Sequence, residues 1–340
     1  MGRRFGTDGI RGPVGSAVTA DLALTLGRAV GHRLGGPGRS VVLGRDTRRS
    51  GEMLGAALAA GLTSTGTDVV DLGVVTTPCL VHASAEERHA AGIMVSASHN
   101  PAEDNGLKVV VRGRKADDAM ETEFDRLIDD ASAIVPMPND ALGRLRSDAD
   151  AVDAYRRHLR DAASDAFAGL RLGIDCANGS ASIIAPDLFR SIGAEVTALF
   201  DAPNGTNIND GCGSTYPERL AETVVAAGLD LGLAFDGDAD RLIAVDERGE
   251  LVDGDAVMGI CALERLAAGT LRNNLLVATI MSNGGLERAV TQAGGRMIRT
   301  PVGDRHVFEA MERDDAVLGG EQSGHIIFRD RSTTGDGLLT

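Results

Sequence analysis

Two serines and a histidine stand together in residues 96–101 (SASHNP), directly after a short apolar run. That run, residues 91–95, predicts a buried strand. Pro101 ends regular structure, because its ring fixes φ and removes a backbone donor. Hydroxyls and an imidazole at the carboxyl end of a strand lie where α/β proteins carry out chemistry. Taken alone, the stretch is equally consistent with an ordinary turn that satisfies its own backbone.

Three aspartates, Asp236, Asp238 and Asp240, alternate on a tight turn between two predicted strands. Three carboxylates in that arrangement form a hard, oxygen-rich site that suits Mg²⁺. An acidic surface turn is the simplest alternative. An EF-hand loop is disfavoured, because Arg241 stands where that loop needs glycine and strands flank the turn. An aspartyl phosphotransferase, with Asp236 or Asp238 as the nucleophile, remains the serious alternative.

A third group of polar residues lies in residues 319–325 (GGEQSGH), before a predicted strand at 326–328. Glycines on both sides let a small ligand approach closely. Glu321 offers an acceptor and Ser323 a donor for sugar hydroxyls, and His325 could shuttle a proton. On these residues alone, a glycine-flanked turn with a satisfied histidine is the commoner case.

Basic side chains gather in predicted loops, although the formal net charge is -15. Arg11 lies in an N-terminal glycine-rich stretch, and Lys108 follows the serine loop. Lys108 and Lys115 are the only lysines of the chain. Arg305 stands near a strand end of the third repeat, where a phosphate could be held. For Lys108, a solvated surface position is the default.

The polar groups are positioned by a unit of strand, glycine-rich turn, helix and strand that recurs three times, from Val41, Arg171 and Leu275. Such alternation predicts parallel sheets covered by helices, and we expect three similar α/β domains with mixed, mainly parallel sheets around a central cleft. We place them at residues 1–150 with the serine loop, 151–252 with the aspartates, and 253–340 with the glycine-flanked turn. The polar, proline-interrupted stretch 134–150 marks the first boundary. Residues 333–340 suggest the start of another helix, so we expect the third domain to be incomplete.

Composition narrows the class of protein. The chain has 340 residues, 43% of them hydrophobic, enough for buried cores. Its acidity disfavours binding to nucleic acid or to anionic membranes, and no run is long enough to span a bilayer. The four cysteines lie far apart without a CxxC pair, which fits a reducing compartment. We therefore expect a soluble cytoplasmic protein.

The motifs, in their order along the chain, resemble the α-D-phosphohexomutase superfamily. They comprise residues 5–12 (FGTDGIRG), 44–48 (GRDTR), 76–78 (TTP), 96–101 (SASHNP), 236–241 (DGDADR) and 320–325 (GEQSGH). Gln322 resembles the branch that acts on glucosamine phosphates. The phosphomannomutase/phosphoglucomutase branch usually carries methionine there and is the alternative.

The resemblance implies a mechanism centred on Ser98 as a phosphoserine. Asp236, Asp238 and Asp240 would hold one Mg²⁺ per chain, with a phosphoryl oxygen on Ser98 as a further ligand. The metal would neutralise charge that builds on the transferred group.

The resemblance also assigns roles around the phosphoserine. Arg11 and Lys108 would neutralise or deprotonate groups there, and His99 would help to orient the loop. Arg241 would steady the phosphoryl group, and His325 would assist proton transfer. Sugar and phosphate binding would fall to Glu321, Ser323 and Arg305.

The implied reaction interconverts glucosamine 6-phosphate and glucosamine 1-phosphate through a 1,6-bisphosphate, supplying UDP-N-acetylglucosamine synthesis. Glucosamine 1,6-bisphosphate or glucose 1,6-bisphosphate would act as activator, the partner would be a small hexosamine phosphate, and a homodimer is expected from the family. Family members also carry a fourth, C-terminal domain that clamps the non-reacting phosphate. No motif of this chain matches it, so we expect metal binding but slow turnover. A non-catalytic sugar-phosphate-binding fragment is the remaining alternative.

Overall fold

The computed structural model describes residues 3–6, 8–135, 137–163 and 167–340, so Thr7 of the N-terminal motif lies outside the described residues. Within them, a first sheet is formed by β1 (Ile10–Pro13), β2 (Ser40–Arg45), β3 (Asp68–Val74), β4 (His89–Val95), β5 (Asp104–Val111), β6 (Arg114–Lys115) and β7 (Leu145–Ser147). The strand order is β1-β5-β4-β2-β3-β7, with β6 paired to β5. Its helices are α1 (Ala20–Leu34), α2 (Gly51–Thr63), α3 (Thr77–Ser84), α4 (Asp118–Asp129) and α5 (Ala149–Ala162).

The second sheet contains β8 (Arg171–Asp175), β9 (Glu195–Leu199), β10 (Leu231–Phe235), β11 (Leu242–Asp246) and β12 (Leu251–Val252), in the order β12-β11-β10-β8-β9. Helices α6 (Ala185–Ser191) and α7 (Glu218–Ala227) accompany it. The third sheet contains β13 (Leu275–Thr279), β14 (Arg296–Thr300), β15 (Leu318–Gly320) and β16 (Ile326–Phe328), in the order β14-β13-β15-β16. Its helices are α8 (Gly254–Ala267), α9 (Gly284–Gln292) and α10 (Asp304–Arg313).

All three sheets are mixed, with a parallel centre. β2 pairs in parallel with β3 and β4, β8 with β9 and β10, and β13 with β14 and β15. Antiparallel hairpins then join β10 to β11 and β15 to β16. The protein therefore consists of three α/β domains, as the repeats predict. Each sheet lies within one of the predicted ranges 1–150, 151–252 and 253–340, whose boundaries stay predictions.

Local sequence explains where the helices begin. Thr76 caps α3 by accepting a hydrogen bond from the Cys79 amide, and Pro78 stands in the first turn, where its missing N–H costs nothing. Asp253 and Asn283 cap α8 and α9 in the same way. These caps fix the helix starts next to the loops that carry the candidate site residues.

One hydrophobic cluster runs through the first and second domains. It contains Leu80 and Met94 from the first, Leu172 and Ile174 from the second, and Leu338 near the end of the chain. Burial of aliphatic side chains is the main stabilising contribution in such a cluster. It therefore holds the serine loop and the aspartate loop in a fixed relation.

The boundary stretch 134–150 contains β7, which pairs in parallel with β3. Residues 333–340 form bends and turns, in which the Asp336 side chain accepts hydrogen bonds from the Leu338 and Leu339 amides and its carbonyl accepts one from the Thr340 amide. The helix start expected there stays a prediction. Among the described residues, no helix has the length and apolar character that crossing a membrane requires.

Candidate active site

Ser98 lies just beyond β4, in the loop that the sequence singles out, and is almost completely buried. Its φ is 53°, in the left-handed region that residues with a Cβ rarely adopt. Its hydroxyl donates a hydrogen bond to Asp236 Oδ2 over 2.5 Å, and Nδ1 of His99 lies 3.4 Å away. The serine loop of the first domain therefore meets the aspartate loop of the second.

The three aspartates occupy the turn between β10 and β11. All three are buried, and one ligand oxygen from each lies within 4.8 Å of the others. Burial rules out the acidic surface turn, and the antiparallel hairpin rules out the helix-flanked EF-hand. The alternating spacing thus produces a convergent carboxylate cluster.

Lys108, on β5, supplies positive charge to this cluster. Its ammonium lies 2.7 Å from Asp238 Oδ2 and 3.8 Å from Asp240 Oδ2. Thr77, at the start of α3, donates its hydroxyl to the same Asp238 oxygen over 2.5 Å. Burial opposes ionisation of Asp238, but Lys108 and Thr77 hold the pKa of this carboxyl below its usual value. Thr77 is a contact that the sequence reasoning missed, although its motif was noted.

Asp236 differs from its two neighbours. Burial, together with the charges of Asp240 and Asp238, raises the pKa of Asp236 to about 8. One carboxyl of the cluster therefore retains a proton near neutral pH when only protein groups surround it. Close carboxylates cannot all ionise without further positive charge.

The cluster fits a divalent cation. Among the described residues, Oδ1 of Asp238 and Oδ1 of Asp240 are buried without a hydrogen-bond partner. Buried acceptors are rarely left unpaired, and each such group calls for an explanation. Carboxylate oxygens are the ligands that Mg²⁺ prefers, so Asp236, Asp238 and Asp240 could hold this ion.

Further cationic and neutral groups surround Ser98. The Arg241 amide donates to Asp236 Oδ1 over 3.2 Å, and its Nε lies 3.9 Å from Asp240 Oδ1. Arg11 pairs with Asp8, which also lies 3.2 Å from Nζ of Lys108. Burial and the guanidinium groups of Arg241 and Arg11 lower the pKa of His99 to about 4, so its ring is neutral at pH 7.

The third domain brings its glycine-flanked turn to the same place. The Leu242 amide, beside the aspartates, donates to the Gly324 carbonyl over 3.1 Å. His325 is buried, with Nδ1 3.7 Å from Asp240 Oδ2, and its Nε2 accepts a hydrogen bond from the Gly335 amide. Glu321 accepts from the Gly303 amide over 2.9 Å, and Ser323 is exposed. The turn therefore offers polar side chains next to the carboxylate cluster.

Arg305 is not brought to this cluster. Its guanidinium donates to Glu121 and Asp118 of α4 and to the Ala116 carbonyl. These ion pairs join α10 of the third domain to the first domain. Its predicted role in phosphate binding stays a prediction, whereas the joining of domains is what the contacts show.

A cleft of about 1050 Å³ lies between the first and third domains. Lys108, Lys115, Asp304 and His325 line it, but Ser98 and the three aspartates do not. Lys115 pairs with both Asp8 and Asp304. The cleft therefore borders the carboxylate cluster through Lys108 and His325.

Comparisons with known proteins agree with this geometry. Three family descriptions match the chain: Phosphoglucomutase/phosphomannomutase, alpha/beta/alpha domain I at residues 2–134, domain II at 153–249 and domain III at 253–340.

Two curated relatives are both named phosphoglucosamine mutase. That of Symbiobacterium thermophilum is 52% identical over 346 residues, and that of Pelotomaculum thermopropionicum is 49% identical over 344 residues. Each match covers 100% of this chain and 77% of the relative. A crystal structure of a phosphoglucomutase/phosphomannomutase family protein from Burkholderia thailandensis superimposes with a TM-score of 0.86 at 31% identity, covering 100% of this chain and 75% of that one.

Proposed function

Because the chain belongs to the phosphoglucomutase/phosphomannomutase family of phosphohexomutases, we propose that it interconverts glucosamine 6-phosphate and glucosamine 1-phosphate. The enzyme is thus an isomerase that works by phosphoryl transfer. The name that its relatives share supports the amino-sugar substrate. Gln322, within the glycine-flanked turn, supports the same amino-sugar substrate.

The observation that carries the proposal is the contact between Ser98 Oγ and Asp236 Oδ2. A hydroxyl that faces three convergent carboxylates lies where a metal-assisted phosphoryl transfer would need its nucleophile. The spacing of the three carboxylates favours a metal site over an aspartyl nucleophile. We therefore assign Ser98 as the residue that carries the phosphoryl group.

The reaction begins with Ser98 phosphorylated. The bond between phosphorus and Oγ breaks while the O1 hydroxyl of glucosamine 6-phosphate forms a new bond to phosphorus. The O1 proton leaves to a nearby base, and Oγ regains a proton. The resulting 1,6-bisphosphate turns over in the site, and its 6-phosphoryl group returns to Oγ as the P–O6 bond breaks, while Oγ gives up its proton and O6 takes one. Glucosamine 1-phosphate leaves, and the enzyme is phosphorylated again.

Asp236, Asp238 and Asp240 would hold Mg²⁺, which when bound offsets the negative charge of the transferred phosphoryl group. Lys108 sits within hydrogen-bond distance of this cluster, so its ammonium offsets the same charge. Arg241 and Arg11 would hold phosphoryl oxygens.

Proton movement and sugar binding fall to the remaining groups. His99 is neutral at pH 7 and lies against Ser98 Oγ, so it can orient the hydroxyl or accept its proton. His325 lies on the other side of the cluster and would serve the sugar hydroxyl. Glu321 and Ser323 would bind sugar hydroxyls, and Arg305 remains the sequence-based candidate for the distal phosphate.

Phosphorus NMR tests the proposal directly. The chain is incubated with Mg²⁺, a trace of glucose 1,6-bisphosphate as activator, and glucosamine 6-phosphate. We expect a glucosamine 1-phosphate signal that is absent with Ser98→Ala. Glucose 6-phosphate and mannose 6-phosphate serve as competing substrates. Faster conversion of either one would transfer the assignment to the other branch of the family, and no conversion of any would overturn it.

A further inference from the structure

Asp46, directly after β2, is the centre of a buried polar network behind the serine loop. Its Oδ2 accepts a hydrogen bond from the Ser96 hydroxyl over 2.7 Å and one from Arg48 Nε over 3.0 Å. Its Oδ1 accepts from the Arg48 amide over 2.9 Å. The side chains of Asp46 and Arg48 are both 0% exposed.

Through these two partners, Asp46 holds both backbone groups of Ser98. The Ser98 N–H donates to Ser96 Oγ over 2.9 Å. The Ser98 carbonyl accepts from Nη2 of Arg48 over 3.0 Å. Both peptide units that flank the nucleophile are therefore tied to a single carboxylate.

Arg48 also fixes the rest of the loop. Its guanidinium donates to the carbonyls of Asn100, over 2.7 Å, and Asp104, over 3.0 Å, and to that of Pro101. The planar guanidinium presents five donors in a rigid fork, so one side chain can hold several carbonyls at once.

The second domain reinforces the same carbonyls. Nδ2 of Asn209 donates to the carbonyls of Ser98 and Asn100, each over 2.9 Å. Side chains from two domains therefore hold the loop by hydrogen bonds. They bind backbone atoms that take no part in phosphoryl transfer.

These hydrogen bonds explain how Ser98 keeps its unusual backbone conformation. A left-handed φ persists in a non-glycine residue only when its surroundings over-determine it, and such residues cluster at active sites. In this conformation Oγ points to Asp236. A relaxed backbone would turn Oγ away from the carboxylates.

We propose that Arg48 and Ser96, both anchored on Asp46, are positioning residues that hold Ser98 in the geometry needed for phosphoryl transfer. The inference rests on the proposed function of Ser98. Neither side chain is within hydrogen-bond distance of Ser98 Oγ, so they act through the backbone rather than on the reacting atoms.

The test is single-turnover phosphorylation of Ser98 by glucose 1,6-bisphosphate with Mg²⁺, followed by intact mass over a range of bisphosphate concentrations. The variants are Arg48→Lys, which keeps the charge but loses the fork, and Ser96→Ala, which removes only the acceptor for the Ser98 amide. Ser84→Ala is the matched control, because Ser84 is buried and donates to Val81 within α3. Thermal unfolding is recorded for every variant.

A misplaced nucleophile should lower the maximal rate on the order of 10²-fold, while the half-saturating bisphosphate concentration stays unchanged. The control variant should keep the wild-type rate even where its melting temperature falls. If Arg48→Lys does not fold, Ser96→Ala alone decides. Wild-type rates in the folded variants, or a rate loss shared by Ser84→Ala, would overturn the positioning role. A wild-type protein that gains no phosphoryl group would instead overturn the proposed function, and this inference with it.

Discussion

Nζ of Lys108 lies 2.7 Å from Asp238 Oδ2, so the first domain places an ammonium inside the carboxylate cluster of the second. The pair is buried, with side-chain exposures of 2% and 0%. Buried charges are tolerated only when they are paired. In the absence of metal, Lys108 therefore provides the main compensation for Asp238, while His325 and Lys108 compensate Asp240 and Arg241 compensates Asp236.

Lys108→Met should consequently destabilise the metal-free protein. Loss of one partner of a buried pair costs about 3–5 kcal/mol, and Mg²⁺ should restore part of that loss because it supplies positive charge to the same oxygens. Urea unfolding with and without Mg²⁺ measures both effects. Arg219→Met, which breaks an exposed pair with Glu222, is the control. Equal Mg²⁺ stabilisation of wild type and Lys108→Met would contradict this account.

The affinity for Mg²⁺ should depend on each of the three carboxylates. Asp240→Asn keeps the shape of the side chain but removes a charge, and we expect Mg²⁺ affinity to fall by at least about 10–100-fold, the loss typical of substitutions around metal sites. Isothermal titration calorimetry measures it. Asp246→Asn, at the half-buried end of β11, should bind Mg²⁺ as the wild type does. Comparable affinity in both variants would place the ion elsewhere.

Substitution of Arg305 distinguishes its two candidate roles, the joining of domains and the binding of a phosphate. If it joins the domains through Glu121, Arg305→Gln leaves a buried carboxylate with less compensation, and the free energy of unfolding should fall by about 1–3 kcal/mol. The KM for sugar phosphate should then stay constant. A raised KM without loss of stability would favour the phosphate-binding role instead. Arg313→Gln, in an exposed pair with Asp314, controls for the loss of a surface charge.

Stability should also depend on pH through Asp336. Burial raises the pKa of this carboxyl to about 6, although it accepts hydrogen bonds from Tyr155 and from two backbone amides. A raised pKa in the folded state means that the fold favours the protonated form. The stabilisation of the fold by the protonated Asp336 carboxyl is therefore complete below about pH 4, the pKa of an aspartate in the unfolded chain. This stabilisation is lost as the pH rises through 6.

Asp336→Asn removes this dependence. Relative to the variant, the wild-type free energy of unfolding should fall by about 2–3 kcal/mol between roughly pH 4 and pH 7. Urea titrations at a series of pH values give the difference. Asp187→Asn, at an exposed position of α6, should leave the wild-type profile unchanged. Parallel profiles for wild type and Asp336→Asn would contradict the assignment.

Local pattern was sufficient for most strands and for the chemistry-bearing loops. The apolar run before Ser98 and the alternation of the three aspartates each depend on neighbouring residues, so a single sequence shows them. The strand β16 has the bounds that its apolar run predicts.

Contacts between distant segments were not predictable in this way. Arg48 belongs to the recognisable motif 44–48, but the Ser98 carbonyl that it binds lies 50 residues further along the chain, so local pattern does not show this contact. Asn209 is 111 residues from Ser98, and Arg305 is 187 residues from Asp118. Only the packing of the three domains reveals that these side chains hold backbone or neighbouring domains.

The most direct test of the account is the position of the phosphoryl group. The protein is incubated with Mg²⁺ and glucosamine 1,6-bisphosphate, its intact mass is measured, and the modified peptide is mapped. The account predicts one added phosphoryl group on Ser98, stable to acid and absent from Ser98→Ala. A hydroxylamine-labile group on Asp236 or Asp238, or no added group at all, would contradict it.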